Sequence, residues 1–376
     1  MSEIDDQYMT RALDLARMGK GLTSPNPMVV AILVKGGRVV GEGFYRYEER
    51  KHAEVLAIEQ AGNQARRATL YVTLEPCSHY GRTPPCANQV IEAGVIRVVA
   101  AMVDPNPLVK GSGLDKLKEA GISVSAGIRE EEAQKINEAY TKYIRTHLPF
   151  VTLKTAMTLD GKIAEASGHS KWISDEPSRA RVQQLRFEND AMLVGIGTVL
   201  KDDPILTNRT QQLRRRPLLR VVLDTHLKLP PKSRLVESLP HGGGIIAFCC
   251  EPYDTSRRRK LEELGVEVIA LPSREGRISF ELVLRELGKR EITGLLIEGG
   301  SEVNFEALRS GSVDRVLCFV APKILGGHSS IPFVGGEGFG TLENSFGLSF
   351  SSVERVGSDL LIEAYVSRVS RSANEN

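Results

Sequence analysis

At 376 residues the chain exceeds what one hydrophobic core ordinarily serves, so two domains are expected. Hydrophobic residues at 41%, charged residues at 26% and a net charge of +2 exclude the strong field that would draw nucleic acid or a membrane surface, and leave small molecules as the expected partners. Five cysteines are too few for a disulfide framework, the first residues MSEIDDQYMT are acidic and polar, and no apolar run approaches roughly 20 residues, so a cytoplasmic protein is expected.

In chain order, Gln7 to Met18 places Met9, Leu13, Ala16 and Arg17 at helical spacing and stops at Gly19-Lys20-Gly21. Ser24 to Met28 breaks the chain with two prolines. Val29 to Val34 and Val39 to Phe44 are β-branched runs split by Lys35-Gly36-Gly37, which predicts a hairpin. His52 to Gly62 is helical in pattern, Ala68 to Leu74 is a buried strand, Cys86 to Ala93 is helical and Val95 to Val103 is a second buried strand. The order is α, β, β, α, β, α, β. A helical stretch from Glu130 to Arg145 ends near Pro149, which sets domain boundaries of residues 1–147 and 148–376. Downstream, apolar strands at 150–156, 191–195, 219–223, 245–249, 266–270, 294–297 and 316–320 alternate with helical segments, the pattern of a mostly parallel α/β sheet.

The most specific feature is His52-Ala53-Glu54, followed after a strand by Pro76-Cys77 and then by Cys86. Zinc that does chemistry takes three protein ligands of imidazole and thiolate type and keeps one position open, and His52, Cys77 and Cys86 supply that set. Glu54 stands beside it as a carboxylate that is not a ligand and can carry a proton. Alone, His-Ala-Glu reads as a solvated helix start and Pro-Cys as a turn with a buried thiol. Their joint appearance, in order and across a strand, favours a catalytic zinc site over a structural one. His79 is an alternative ligand ranked below Cys77 and Cys86, while Cys249, Cys250 and Cys318 read as core thiols.

The order H-x-E then P-C is that of zinc nucleobase deaminases, with eight residues between the cysteines where that signature has two. With its long insert, TLEPCSHYGRTPPC resembles the bifunctional riboflavin-biosynthesis deaminase/reductase family, and the likeness extends through SPNP at 24–27, DPNP at 104–107, LDGK at 159–162 and LIEGG at 296–300. The resemblance implies a cytidine-deaminase-like α/β/α sandwich followed by a dihydrofolate-reductase-like α/β domain. It implies zinc-dependent deamination of a diaminopyrimidinone ribosylamine phosphate, then NADPH-dependent reduction of the ribosyl to the ribityl chain. His52, Cys77 and Cys86 would hold zinc, Glu54 would be the general acid/base and Asn26 would touch the substrate. In the second domain Ala156, Trp172, Thr198, Asp202, Thr225 and Gly300 would contact NADPH, and Ser170, Arg186, Leu206, Arg209 and Glu298 the phosphorylated pyrimidine. Arginine forks suit a phosphate, and Thr225, just past the strand ending at Leu223-Asp224, is expected near the adenosine ribose. A homo-oligomer without nucleic acid or membrane partners is expected. The rival readings are another zinc deaminase, acting on a nucleoside or an RNA base with an accessory domain, and a zinc-stabilised binding module without catalysis.

Overall fold

The computed structural model describes residues 2–45, 51–80 and 84–367. The chain forms two compact units, Met1–His147 and Leu148–Asn376.

In the first unit α1 (Glu3–Arg17) begins four residues before the periodic stretch, because the Ser2 hydroxyl accepts from the Asp5 N–H at 3.2 Å and Glu3, Asp5 and Asp6 fill the first turn. Met9, Ala12, Leu13 and Ala16 form its buried stripe; Arg17 points outward to Glu132 at 2.7 Å. The strands β1 (Val30–Lys35) and β2 (Arg38–Phe44) pair as a hairpin whose two-residue turn, Gly36-Gly37, has φ of 58° and 74°. Positive φ at both positions is the geometry that matches strand twist and that glycine supplies without strain. Helix α2 (Ala53–Ala61) lies directly on β2, where a Cβ at Gly41 would come within 2.2 Å of the Ala57 carbonyl oxygen. Then come β3 (Thr69–Val72), α3 (Cys86–Glu92), β4 (Arg97–Ala100), α4 (Ser112–Glu119), β5 (Ser123–Ala126), α5 (Glu130–Ile136) and α6 (Glu138–Thr146).

The described strands form a sheet of order β2-β1-β3-β4-β5, with β1 antiparallel to both neighbours and β3, β4 and β5 parallel. Along β1, Val30, Ile32 and Val34 face a core built with Met9, Leu13 and Ile136, while Ala31 and Leu33 face one built with Ala57, Val90 and Leu117. Helices on both faces make the α/β/α sandwich. The single helix expected over 130–145 is two, divided at Asn137, which is buried, stands at φ −102°, ψ 21° and turns its side-chain amide to Met28. Its Oδ1 accepts from the Met28 N–H at 2.7 Å and its Nδ2 donates to the Met28 carbonyl at 3.2 Å, which anchors the segment before β1.

The second unit carries a nine-stranded sheet in the order 267–271, 245–250, 219–223, 191–195, 294–297, 150–158, 315–321, 359–367, 347–356. The first seven strands are parallel; the last two form an antiparallel hairpin at one edge. Helix Glu176–Glu188 packs Val182 and Leu185 on one face, and helix Phe280–Lys289 packs Val283, Leu284 and Leu287 on the other. The carboxyl ends of the adjacent parallel strands 191–195 and 294–297 set their following turns side by side, the place where α/β sheets build ligand sites. Among the described residues no helix is long and apolar enough to cross a membrane.

Candidate functional site

His52 stands at the N-cap of α2, and Cys86 opens α3. His52 Nδ1 lies 3.0 Å from Cys86 Sγ and 3.5 Å from Cys77 Sγ, and the Cys86 N–H donates to Cys77 Sγ at 3.3 Å. Ligand atoms of these three residues all lie within 4.8 Å of one another, and among the described residues no fourth His, Cys, Asp or Glu joins them. The donor set fits zinc, with one tetrahedral position left for a non-protein ligand. His79 is exposed and outside the group; Gly81, Arg82 and Thr83 of the intervening segment lie outside the described residues.

Glu54 is 3% exposed, and burial pushes its carboxyl up to about 7, against the pull of His52. A carboxyl titrating near neutrality is suited to accept a proton and give it back. Hydrogen bonding from the Cys86 thiol, helped by His52 and opposed by burial, holds the Cys77 thiol down to about 4, and its interaction with Cys77 and burial push Cys86 up. Asn26 Nδ2 donates to Tyr45 Oη at 2.6 Å, and the Tyr45 ring stands edge-on to the His52 ring at 6.1 Å, so Asn26 reaches the metal group through Tyr45.

Sequence reasoning missed Glu75. It is buried two residues before Cys77, and its carboxylate accepts from four backbone N–H groups: Asp104 at 3.0 Å and Gly111 at 2.9 Å on Oε2, Gly113 at 2.8 Å and Leu114 at 3.3 Å on Oε1. The only signal in the sequence was an acidic residue directly after the apolar run Ala68 to Leu74. Nearby, burial pushes Asp104 up to about 6 even though it accepts from the Asn106 N–H and Tyr140 Oη.

In the second unit Arg186 and Glu298 meet: Nε donates to Oε1 at 2.6 Å and Nη2 to Oε2 at 3.1 Å, while Nη1 donates to the Thr207 carbonyl at 3.0 Å beside the buried Leu206. The fork expected to take a phosphate is thus turned to a carboxylate. Lys154, left without a role by the sequence, brings its ammonium to 3.6 Å from Glu298. Burial acts against the Glu298 charge, but Arg186 and Lys154 outweigh it and hold the carboxyl at about 2. Burial lowers Lys154, with Glu298 opposing. One anion between two cations leaves an excess positive charge. Ser170 and Trp172 line a cavity of about 280 Å³ with Thr158, Ala164 and Ile324. A Cβ at Gly300 would be 4.0 Å from Thr198 Oγ1, which brings the two turns past strands 191–195 and 294–297 together. Ala156 lies within strand 150–158, Asp202 ends helix Ile196–Asp202, and the Thr225 carbonyl accepts from the Cys250 N–H at 3.0 Å. Arg209 is exposed, its N–H donating to Gln183 at 3.0 Å. Cys249, Cys250 and Cys318 are buried thiols.

Comparison with known proteins accounts for both units. Residues 2–102 match the family model of the cytidine and deoxycytidylate deaminase zinc-binding region, and residues 149–362 that of the RibD C-terminal domain. The riboflavin biosynthesis protein RibD of Aquifex aeolicus is 43% identical over 96% of this chain and 98% of its own. The structure of RibD from Acinetobacter baumannii superposes with a TM-score of 0.86 at 36% identity, covering 97% of this chain and 99% of that one. That of the diaminohydroxyphosphoribosylaminopyrimidine deaminase/5-amino-6-(5-phosphoribosylamino)uracil reductase of Thermotoga maritima superposes with a TM-score of 0.83 at 38% identity, covering 97% and 99%. Matches along the whole length leave no room for a nucleoside or RNA deaminase with an unrelated accessory domain, and zinc and NADPH are the cofactors of the two activities. A zinc-binding deaminase half and a reductase half in one chain make this protein a member of the RibD family of bifunctional riboflavin-biosynthesis deaminase/reductases.

Proposed function

We propose that residues 1–147 form the deaminase, with zinc held by His52, Cys77 and Cys86, and that residues 148–376 form the reductase. The observation that carries the first assignment is the convergence of His52 Nδ1 and two sulfurs beside a buried carboxyl. Zinc in such a site supplies the Lewis acidity that makes water a nucleophile near neutral pH. The Glu54 carboxylate takes the proton released by the attacking water and hands it to the departing amino nitrogen. Asn26, oriented by Tyr45, holds the pyrimidine ring against that carboxylate. Burial of Glu54 keeps bulk water from competing for the proton.

In the reductase NADPH supplies the hydride. Ala156, Trp172, Thr198, Asp202, Thr225 and Gly300 bind it, the paired turns at Thr198 and Gly300 offering free N–H groups past the strand ends. Ser170, Arg186, Leu206, Arg209 and Glu298 take the substrate, whose phosphate suits the excess positive charge around Glu298 and the exposed Arg209. The chain works in the cytoplasm, in keeping with five unpaired cysteines, and without nucleic acid or membrane partners. It pairs with copies of itself through strand Gly347–Val356, the sheet edge that exposes Leu348, Phe350 and Val353.

Glu54→Gln tests the deaminase assignment: deamination falls by about 10²–10⁴-fold while bound zinc stays stoichiometric. Loss of zinc from that variant, or undiminished turnover, removes Glu54 from the proton path.

A further inference from the structure

Trp172 is the protein's one tryptophan and is 64% exposed at the mouth of the cavity it shares with Ser170. An indole left to itself would lower its free energy by folding onto apolar wall. Two contacts bear on the residue, one on its main chain and one on its ring. Lys323 Nζ donates to the Trp172 carbonyl at 2.8 Å, and the Arg179 guanidinium lies over the indole ring, 4.5 Å from its centre.

Both arms stand on fixed ground. Asp160 accepts from the Leu325 and Gly326 N–H groups at 3.0 and 2.7 Å, and the Leu159 N–H donates to the Lys323 carbonyl at 2.8 Å, so the segment bearing Lys323 is bound to the turn after strand 150–158. Arg179 sits in the first turn of helix Glu176–Glu188, capped by Asp175 accepting from the Ser178 N–H at 2.9 Å, and its Nη1 donates to the Ser174 carbonyl at 2.7 Å. The contacts therefore fix the backbone of Trp172 from one element and its ring plane from another.

We propose that Lys323 and Arg179 are positioning residues that hold Trp172 as a preset platform, Arg179 covering one indole face and leaving the other for the planar ring of the nicotinamide cofactor. This rests on the reading that Trp172 contacts NADPH. A platform already oriented spares the cofactor the cost of ordering it, so loss of either arm weakens NADPH binding more than it slows hydride transfer.

Because Trp172 is alone, the emission of the full-length protein reports on it directly. Titrating the parent with NADPH should quench that emission by energy transfer to the reduced nicotinamide. In Lys323→Met and in Arg179→Met, steady-state anisotropy of Trp172 should fall, and the Kd and KM for NADPH should each rise about two- to fivefold, the scale of one hydrogen bond or one exposed cation–ring contact. Lys323→Arg, which keeps a donor, and Arg179→Lys, which keeps a cation, should restore the anisotropy, and Arg179→Gln serves if Arg179→Met fails to fold by circular dichroism. Variants with the parent's anisotropy and Kd would overturn the two arms while leaving Trp172 at the cofactor. An unquenched parent would overturn both readings.

Discussion

Gly43 lies directly beneath the first turn of α2: a Cβ there would sit 2.1 Å from the carbonyl oxygen of Ala53, the residue between His52 and Glu54. Backbone cannot yield as a side-chain tip does, so Gly43→Ala must lift the start of the helix, at a cost of about 1–3 kcal/mol. Because that turn carries a ligand and the proton carrier, zinc affinity should drop about 10- to 100-fold, the scale seen when a ligand's support is disturbed. Competition with a chromophoric chelator measures it; unchanged affinity would show that α2 adjusts without moving His52.

Glu298 is an anion between two buried cations, so Glu298→Gln leaves Arg186 and Lys154 facing each other with no counter-charge. Breaking such an arrangement from one side costs about 3–5 kcal/mol. Adding Lys154→Met to Glu298→Gln should recover part of that loss in urea unfolding. The pH dependence has a definite sign. The folded carboxyl is held at about 2 against an ordinary 4.5, so its stabilising contribution is complete above about 4.5 and is lost as pH falls toward 2. An acid-side loss equally steep in parent and Glu298→Gln would mean another carboxylate is responsible.

Asp104 behaves in the opposite sense. Burial raises it from 3.8 to about 6, so the fold favours its neutral form; that advantage is whole below 3.8 and disappears as pH climbs through 6. Asp104→Asn keeps an acceptor for the Asn106 N–H and has no charge to acquire. Relative to the parent it should therefore gain stability between about pH 4 and pH 7, by no more than about 3 kcal/mol. Unfolding midpoints of both proteins across that range decide the matter, and parallel curves would contradict the assignment.

Residues 1–147 expressed alone should bind one zinc ion, and residues 148–376 alone should bind NADPH, since neither set of site residues draws on the other unit. Metal analysis of the first fragment and calorimetry of the second are the measurements. A second fragment that is folded yet takes up no NADPH would place the boundary or the cofactor residues elsewhere.

Where a residue's role depends on near neighbours, the sequence was readable. Gly36-Gly37 announces its hairpin, and the parallel strands stand out as apolar runs because both faces are covered. His52, Cys77 and Cys86 combine residue types that serve few purposes together. The antiparallel hairpin of strands 347–356 and 359–367 escaped because its outer strand is exposed along nearly its whole length, and runs such as Ser349 to Ser352 carry no buried period. α4 and β5 were missed because they carry few apolar residues, Leu114 and Leu117 in the one and Val124 in the other, and the break at Asn137 because its side-chain partner, the backbone of Met28, is 109 residues away. Lys154 and Glu75 act through partners far along the chain, Glu298 and the Asp104–Leu114 segment, while Arg179 meets a nearby indole only once helix Glu176–Glu188 has been capped.

The four N–H groups gathered by Glu75 divide the stretch after Asp104 into held stems and a free tip. Oε2 takes both Asp104 and Gly111, so the two stems of the intervening loop are pinned to one oxygen atom. Whatever happens to the length of the stretch between them is absorbed at its tip, where Leu108 is 80% exposed, and the strain stops at the stems. A change of length between the stems would thus leave Glu75, two residues before Cys77, with the same N–H partners, and the cysteine where it stands.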